Sequence, residues 1–275
     1  MADSISIAAN SIAQADALII GAGAGMGVDS GLPDFRGNQG FWRAYPPLKH
    51  LGISFVEMAN PRWFTKKPRM AWAFYGHRHQ LYSTTQPHDG FETLRRWGEK
   101  MRHGAFVFTS NIDGHFQRAG FAEERVCECH GSLSHGQCVN ACGGAIWPFG
   151  DLDLAIDLQT LICNGPLPQC PRCGDTARPN VLMFGDWGWL SERCEQQEAC
   201  FGKWLAGLAD SRVVLVECGA GQAVPTVRMT MERLAARFEA PLIRINPREA
   251  QGPAGTISLA MGAAEGLVAI DAALA

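Results

Sequence analysis

Short apolar runs alternate with helix-length segments along most of this chain. Four runs are apolar, of strand length and bounded by turn residues, at positions 17–22, 105–108, 212–217 and 241–245. Runs of this kind are typical of strands buried on both faces of a parallel sheet. Helix-length segments lie at 67–84, 89–101, 191–208 and 225–238. The alternation predicts a Rossmann-like, doubly wound α/β fold, which binds ligands at the carboxyl ends of its strands.

Two segments interrupt this alternation. Residues 133–178 hold five of the ten cysteines, several Gly and Pro residues and no long periodic helix, which indicates a small inserted module. Residues 39–84 begin with an aromatic and proline-rich stretch that predicts a helical insert or lid. We therefore divide the chain into a nucleotide-binding domain (1–38, 85–132 and 179–275), a helical insert (39–84) and a metal-binding module (133–178).

Composition excludes several classes of protein. The 275 residues carry a net charge of −3 without a basic or acidic block, so direct nucleic-acid binding is not expected. The apolar runs are shorter than the roughly 18 residues of a membrane helix, and the N-terminus lacks the basic start of a signal peptide. These features predict a cytoplasmic protein without membrane partners, whose cysteines are metal ligands, reactive thiols or buried small hydrophobic residues rather than disulfides.

A glycine-rich loop, GAGMGVDSGLPDFRG, follows the first apolar run at positions 23–37. Glycines after a buried strand allow the backbone to approach a pyrophosphate closely, and its N–H groups meet the negative charge. A tight strand-to-helix turn would also explain the glycines alone. The loop continues into Asp34, Phe35 and Arg36, where a Rossmann helix would still be winding.

Two close cysteine pairs lie in the inserted module, Cys138 with Cys142 and Cys170 with Cys173. Paired cysteines at this spacing are typical of a tetrahedral zinc site, which would stabilise a module too small for its own core. Four cysteine ligands leave no open position, so the predicted zinc is structural. Unrelated reduced thiols are the alternative, and Cys163 is a substitute ligand if one of the four is wrong.

Polar residues follow two further strand-like runs. Asn111 and Asp113, in TSNIDG, come after the run at 105–108, where an amide and a carboxylate can bind an amide or ribose hydroxyls. An Asx turn that caps the next helix is the alternative. His130 follows the strand-like ERVCEC, and a histidine at a strand end can act as a general base because its pKa lies near neutral pH.

The order of these motifs resembles the sirtuins, the NAD-dependent protein deacylases, in their bacterial form. The shared order is GAG with SGLPDFRG, then SNID, HGS, the two cysteine pairs, RPNVLMFGD and a late IN pair, over about residues 18–246. The resemblance implies an NAD-binding Rossmann-like domain, a structural Zn²⁺ module and an acyl-lysine protein or peptide as substrate.

The resemblance also implies roles for individual residues. His130 is the general base, and Asn111 and Asp113 complete the catalytic set. The cofactor set comprises Gly23, Ala24, Gly25, Asp34, Phe35, Arg36, Ser110, Asn111, Ile112, Asp113, Gly219 and Asn246. The substrate set comprises Tyr75, Arg78, Val181, Phe184 and Gly185, with residues 181–185 pairing with the substrate backbone as an added strand. The implied reaction transfers the acyl group to ADP-ribose as nicotinamide leaves.

Some residues depart from the family pattern around the nucleotide. Ser110 stands where the family has Gln, Phe116 stands where it often has His, and Cys218–Gly221 replaces a GTS motif. These changes keep an ADP-ribosyltransferase or an NAD hydrolase open as alternatives. A third alternative is a zinc-ribbon binding protein with an idle nucleotide fold.

Tyr75 and Arg78 lie three residues apart on a predicted helix and so share one face. They resemble the Tyr-x-x-Arg pair of sirtuins that prefer succinyl- or malonyl-lysine, since a guanidinium suits a carboxylate. The alternative is an ordinary amphipathic helix with Tyr75 in the core and Arg78 on the surface.

Overall fold

The computed structural model describes residues 2–33 and 37–274, and of residues 37–39 it describes the backbone only. The strands are β1 (Ala17–Ala22), β2 (Ala105–Thr109), β3 (Val126–Glu128), β4 (Gly131–Cys138), β5 (Ile146–Pro148), β6 (Ala155–Asp157), β7 (Ile162–Asn164), β8 (Ala177–Val181), β9 (Val213–Cys218), β10 (Leu242–Ile245) and β11 (Ile257–Leu259). The helices are α1 (Ala2–Ala13), α2 (Gly25–Val28), α3 (Gly37–Ala44), α4 (Pro46–His50), α5 (Phe55–Met58), α6 (Arg62–Lys66), α7 (Pro68–Thr84), α8 (Asp89–Glu99), α9 (His115–Arg118), α10 (Glu192–Ala206), α11 (Thr226–Phe238) and α12 (Ala263–Leu274).

The described residues form a six-stranded parallel sheet in the order β11-β10-β9-β1-β2-β3. Read from β3, this is the strand order of the dinucleotide-binding Rossmann fold, and the order reverses between β1 and β9. Every residue of β1, β9 and β10 is buried. The sequence prediction of a doubly wound sheet is therefore confirmed. The apolar runs do not alternate with polar residues because these strands are covered on both faces.

Helices cover both faces of this sheet. Leu18 and Ile20 pack in one core cluster with residues of α1, α8 and α12, whereas Ile19 packs in another with residues of α10 and α11. Successive side chains of a strand point to opposite faces, so β1 contributes to both cores. The crevice at the carboxyl end of β1 thus opens between two rigid layers.

The helical insert and the cysteine-rich module share a third core. Phe41, Trp72 and Phe74 of the insert pack in one cluster with Leu133 and Leu154 of the module. Within the module, β4 pairs antiparallel with β5 and β8, and β6 pairs with β7. Neither segment buries its apolar surface alone, so each stabilises the other. The division of the chain into three units at the stated boundaries stays a prediction.

The two ends of the chain contain elements that the apolar pattern does not predict. Helix α1 packs against α12, and β11 adds the last parallel strand. In α1 the buried residues are Ala8, Ala9 and Ile12, which form too small an apolar face to predict a helix. No helix among the described residues combines the length and apolar character that crossing a bilayer requires.

Candidate active site

The glycine-rich loop lies directly against the loop that follows β9. Gly23 N donates a hydrogen bond to Cys218 O at 3.0 Å, and Gly25 N donates one to Gly219 O at 3.0 Å. A Cβ on Gly23 would lie 2.6 Å from the Ala220 Cα atom. Gly219 has a φ of +65°, and a Cβ there would lie 2.3 Å from the Met26 nitrogen. Both glycines are therefore required by backbone packing at the point where the strand order reverses, which is where Rossmann folds bind nucleotides.

Asn111 is brought to this loop by the end of β2. Its buried side chain donates from Nδ2 to Gly23 O at 3.1 Å, and its backbone N donates to Thr109 Oγ1 at 3.0 Å. Ser110 N donates to Ala22 O at 3.1 Å, so the loops after β1 and β2 are joined at two points. The structure thus places Ser110 and Asn111 at the edge of the glycine loop, and their role in ligand binding stays a prediction.

Asp113 occupies an Asx turn and also approaches the glycine loop. Its Oδ1 accepts a hydrogen bond from His115 N at 2.9 Å, at the start of α9. Its Oδ2 would lie 3.6 Å from a Cβ at Gly27. Leu133 N donates to Ile112 O at 3.1 Å, which ties this segment to β4. The Asx turn therefore accounts for Oδ1 of Asp113, whereas Oδ2 faces the glycine-rich loop after β1.

His130 lies in the turn between β3 and β4 and lines a cavity of 780 Å³ between α10 and α11. Its Nε2 lies 3.5 Å from Thr226 Oγ1. Burial lowers the pKa of the His130 imidazole below its usual value of 6.5, because desolvation disfavours the charged form. The ring is thus neutral near pH 7 and has a nitrogen lone pair to accept a proton.

The segment after β8 is held beside His130. Leu182 N donates to His130 O at 2.9 Å, and the partly exposed Leu182 lines the same cavity. Phe184 N donates to Ala59 O, and Phe184 O accepts from Asn60 Nδ2, both at 2.9 Å. Segment 181–185 therefore bridges the helical insert and His130.

A buried ion pair fixes the far end of that segment. Arg178 donates to both oxygens of Asp186, at 2.6 and 3.0 Å, and both side chains are almost completely buried. Gly185, next to the aspartate, has a φ of +67°, which favours glycine. The chain is thus turned back on itself directly after the predicted substrate strand.

Asn246, at the end of β10, supports the loop after β9. Its fully buried side chain donates from Nδ2 to Ala220 O at 2.9 Å, and its Oδ1 accepts from the backbone nitrogens of Arg248 and Glu249. Gly219 N donates to Ile245 O at 3.0 Å. Asn246 therefore shapes the loop that contacts the glycine-rich segment. Asp34, Phe35 and Arg36 lie outside the described residues.

The four predicted zinc ligands converge. Their sulfur atoms all lie within 4.8 Å of one another, with distances of 3.7 Å for Cys138–Cys173, 3.5 Å for Cys142–Cys170 and 3.2 Å for Cys142–Cys173. Tetrahedral zinc with Zn–S bonds of about 2.3 Å separates its sulfurs by about 3.8 Å. The cluster therefore fits a structural zinc ion. Cys163 instead lies fully buried in the apolar core shared with the helical insert, so it is not needed as a substitute ligand.

Tyr75 and Arg78 are both buried in α7. Tyr75 packs against Phe74, with ring centroids 4.8 Å apart. Arg78 donates from Nε and Nη2 to Tyr82 Oη at 3.1 and 2.9 Å, and its guanidinium lies 5.9 Å from the Tyr75 ring centroid. The alternative that places Arg78 on the surface is therefore wrong, because aromatic rings enclose this side chain.

Thr226 is a site residue that sequence reasoning did not identify. It begins α11 and contacts His130 across the cavity, ninety-six positions away in the chain. A threonine after a proline at a helix start is common, so the sequence carries no signal for this contact. His115, adjacent to the departure at Phe116, is fully buried with its ring 5.7 Å from that of Phe91.

Comparisons with known proteins identify the family of this chain. Residues 23–199 match the model of the Sir2 family. An NAD-dependent protein deacylase of Aquifex aeolicus is 32% identical over 60% of this chain, although the match spans only 59% of that protein. Proteins of the same name from Aeropyrum pernix and Thermus thermophilus are each 30% identical, over 82% and 89% of this chain and 78% and 85% of their own lengths.

Solved structures agree on the fold. A crystal structure of a Sir2 homologue–NAD complex superposes with a TM-score of 0.69 at 24% identity, covering 97% of this chain and 94% of that one. A structure described as a basis for the mechanism and regulation of Sir2 enzymes also gives 0.69 at 24% identity, covering 100% and 98%. Together with the family-model match, these similarities show that the chain belongs to the Sir2 family.

Proposed function

We propose that this chain is an NAD-dependent protein-lysine deacylase, in which His130 is the general base. The observation that carries the proposal is the position of His130, which is neutral near pH 7, lines a cavity of 780 Å³ and is bonded through its backbone to Leu182. The names of the Aquifex, Aeropyrum and Thermus relatives support the same activity.

The nucleotide site fits NAD on structural grounds. At the point where the strand order reverses, Gly23 and Gly219 bring two loops into backbone contact. The Asn111 side chain donates a hydrogen bond to the Gly23 carbonyl there. When bound, NAD supplies the ADP-ribose that receives the acyl group as nicotinamide leaves. Gly23, Ala24 and Gly25 would face the phosphates, and Asn111, Ile112 and Asp113 would hold the nicotinamide end, with Ser110 in the same cofactor set. Asp34, Phe35, Arg36, Gly219 and Asn246 complete the proposed cofactor set.

The acyl-lysine peptide would lie along residues 181–185. Leu182 and Phe184 are both partly exposed there, and the segment is anchored at Ala59 and Asp186. An extended peptide that adds a strand here would gain affinity from main-chain hydrogen bonds. An acyl-lysine held there would lie beside His130, whose Nε2 would take a proton from the hydroxyl that the cofactor supplies. A cytoplasmic location and the absence of nucleic-acid partners stay predictions.

Product analysis tests the proposal. The chain is incubated with NAD and acetyl-, succinyl- or lipoyl-lysine peptides, and the products are followed by mass spectrometry. We expect free lysine peptide, nicotinamide and O-acyl-ADP-ribose in equal amounts. ADP-ribosylated protein or plain ADP-ribose without deacylated peptide would favour the transferase or hydrolase alternatives, and no NAD turnover would contradict all three.

Acyl preference is tested at Arg78. If the guanidinium binds an acyl carboxylate, Arg78→Met should lower succinyl-lysine turnover by about 10–100-fold, since hydrogen bonds to charged groups contribute about 1.5–3 kcal/mol. Acetyl-lysine turnover should change by less than about threefold. Tyr82→Phe is the matched control, because it removes the hydroxyl that Arg78 contacts and keeps the charge. Equal losses for both acyl groups, or the same selective loss in Tyr82→Phe, would show that Arg78 has a structural role.

The pH dependence of deacylation follows from the lowered pKa of His130. A general base must be unprotonated, and burial keeps this imidazole neutral to a more acid pH than an exposed histidine. We expect the acid limb of kcat/KM to have its midpoint below pH 6.5, the usual pKa of a histidine. An acid limb with its midpoint above pH 7 would disagree with His130 as the base.

A further inference from the structure

A second group of potential metal ligands lies outside the cluster of Cys138, Cys142, Cys170 and Cys173. It comprises Cys127 on β3 with Cys194 and Glu198 on α10, whose ligand atoms all lie within 4.8 Å of one another. Cys194 Sγ is 3.8 Å from Glu198 Oε1. In a tetrahedral zinc site, a thiolate sulfur and a carboxylate oxygen are separated by about 3.5 Å. These three side chains therefore need only small shifts to bind one ion.

The positions of these ligands are fixed by contacts between α10 and β3. Glu128, next to Cys127, is buried and pairs with Arg193 at 2.6 Å, and its backbone N donates to Gln197 Oε1 at 3.0 Å. Cys194 and Glu198 are four residues apart and therefore share the helix face that covers the strand. The register of the helix on the strand is thus determined by bonds that do not use the ligands themselves.

The cluster is closed on one side and open on the other. Cys127 is fully buried, Cys194 is nearly so, and Glu198 is exposed. Glu198 and Cys129 line the cavity of 780 Å³ that His130 also lines. Three protein ligands with a solvent-accessible fourth position are typical of zinc sites that exchange a ligand, whereas four cysteines close the coordination shell.

We propose that Cys127, Cys194 and Glu198 form a second binding site for a thiophilic divalent cation such as Zn²⁺. Two thiolates and one carboxylate bind the ion, the two thiol protons pass to solvent, and the fourth position faces the cavity. The ion would lie on the wall that continues to His130, so the catalytic cavity and this site share one solvent entrance.

Cobalt titration of the full chain tests the site. The protein, reduced and carrying one zinc equivalent, is titrated with Co²⁺, and absorption and bound metal are measured. We expect a second metal equivalent, accompanied by a thiolate-to-cobalt charge-transfer band. Cys194→Ala should abolish both, whereas Cys200→Ala, which alters an exposed cysteine of the same helix, should keep both.

If Cys194→Ala disturbs folding, a substitution at the exposed Glu198 tests the site instead. Glu198→Ala should weaken Co²⁺ binding by at least about 10–100-fold, the usual effect of losing even an outer partner of a metal site. Glu195→Ala, an exposed acid on the same helix, should leave the affinity unchanged. The proposal is overturned if the zinc-loaded wild type takes up no Co²⁺, or if Glu198→Ala and Glu195→Ala bind Co²⁺ equally.

Discussion

Replacing His130 with alanine is expected to lower NAD-dependent deacylation by about 10²–10⁴-fold, the usual contribution of a positioned general base. The His130 side chain makes only a weak contact with Thr226, at 3.5 Å, so its removal should affect folding little. In the proposed reaction the base acts after nicotinamide leaves. The variant should therefore still exchange labelled nicotinamide into NAD, but it should no longer form deacylated peptide. Isotope counting measures the exchange, and mass spectrometry measures the peptide.

His135→Ala is the matched control for that experiment. His135 lies on β4, and its side chain contacts the neighbouring Ser134 hydroxyl at 3.3 Å rather than the cavity. We expect its kcat to remain within about threefold of the wild type. A His130→Ala variant that deacylates as well as His135→Ala would show that another group takes the proton.

Loss of one of the four predicted zinc ligands is expected to remove the structural zinc and to unfold the module around it. Apparent binding free energies of structural zinc in zinc-finger peptides are about 10–16 kcal/mol at pH 7, and this energy is coupled to folding. Cys173→Ser changes an exposed side chain, so the lost metal, not a core cavity, is the cause. We expect the tightly held zinc equivalent to disappear and residues 139–176 to become sensitive to proteolysis.

Deacylation should fail in the same variant, because the module and the helical insert share a core that also contains Val181 and Met183. Cys163→Ala is the control, since Cys163 is equally a cysteine of the module but packs in that core outside the ligand cluster. It should keep its zinc and its protease resistance. Zinc retained by Cys173→Ser, or lost by Cys163→Ala, would contradict the assigned ligand set.

The sheet was predictable because burial on both faces leaves a local signature. Continuous apolar runs mark β1, β9 and β10, and their observed bounds differ from the predicted ones by a residue at most. The terminal elements leave no such signature. Helix α1 offers the small apolar residues Ala8 and Ala9, and packs against α12 and β11. Tertiary packing there replaces intrinsic helix propensity.

The sequence by itself determined the chemistry that this chain can offer: glycines for close backbone approach, Asn111 and Asp113 at a strand end, a histidine after a strand and four paired cysteines. Motifs of this kind are local, because the required residue types and spacings lie within a few positions of one another. Only the tertiary structure decided which distant side chains meet. The contact of His130 with Thr226, the burial of Arg78 among aromatic rings and the approach of Cys127 to Cys194 and Glu198 each join separate elements. Such contacts depend on how helices pack across a sheet, which no short stretch of sequence encodes.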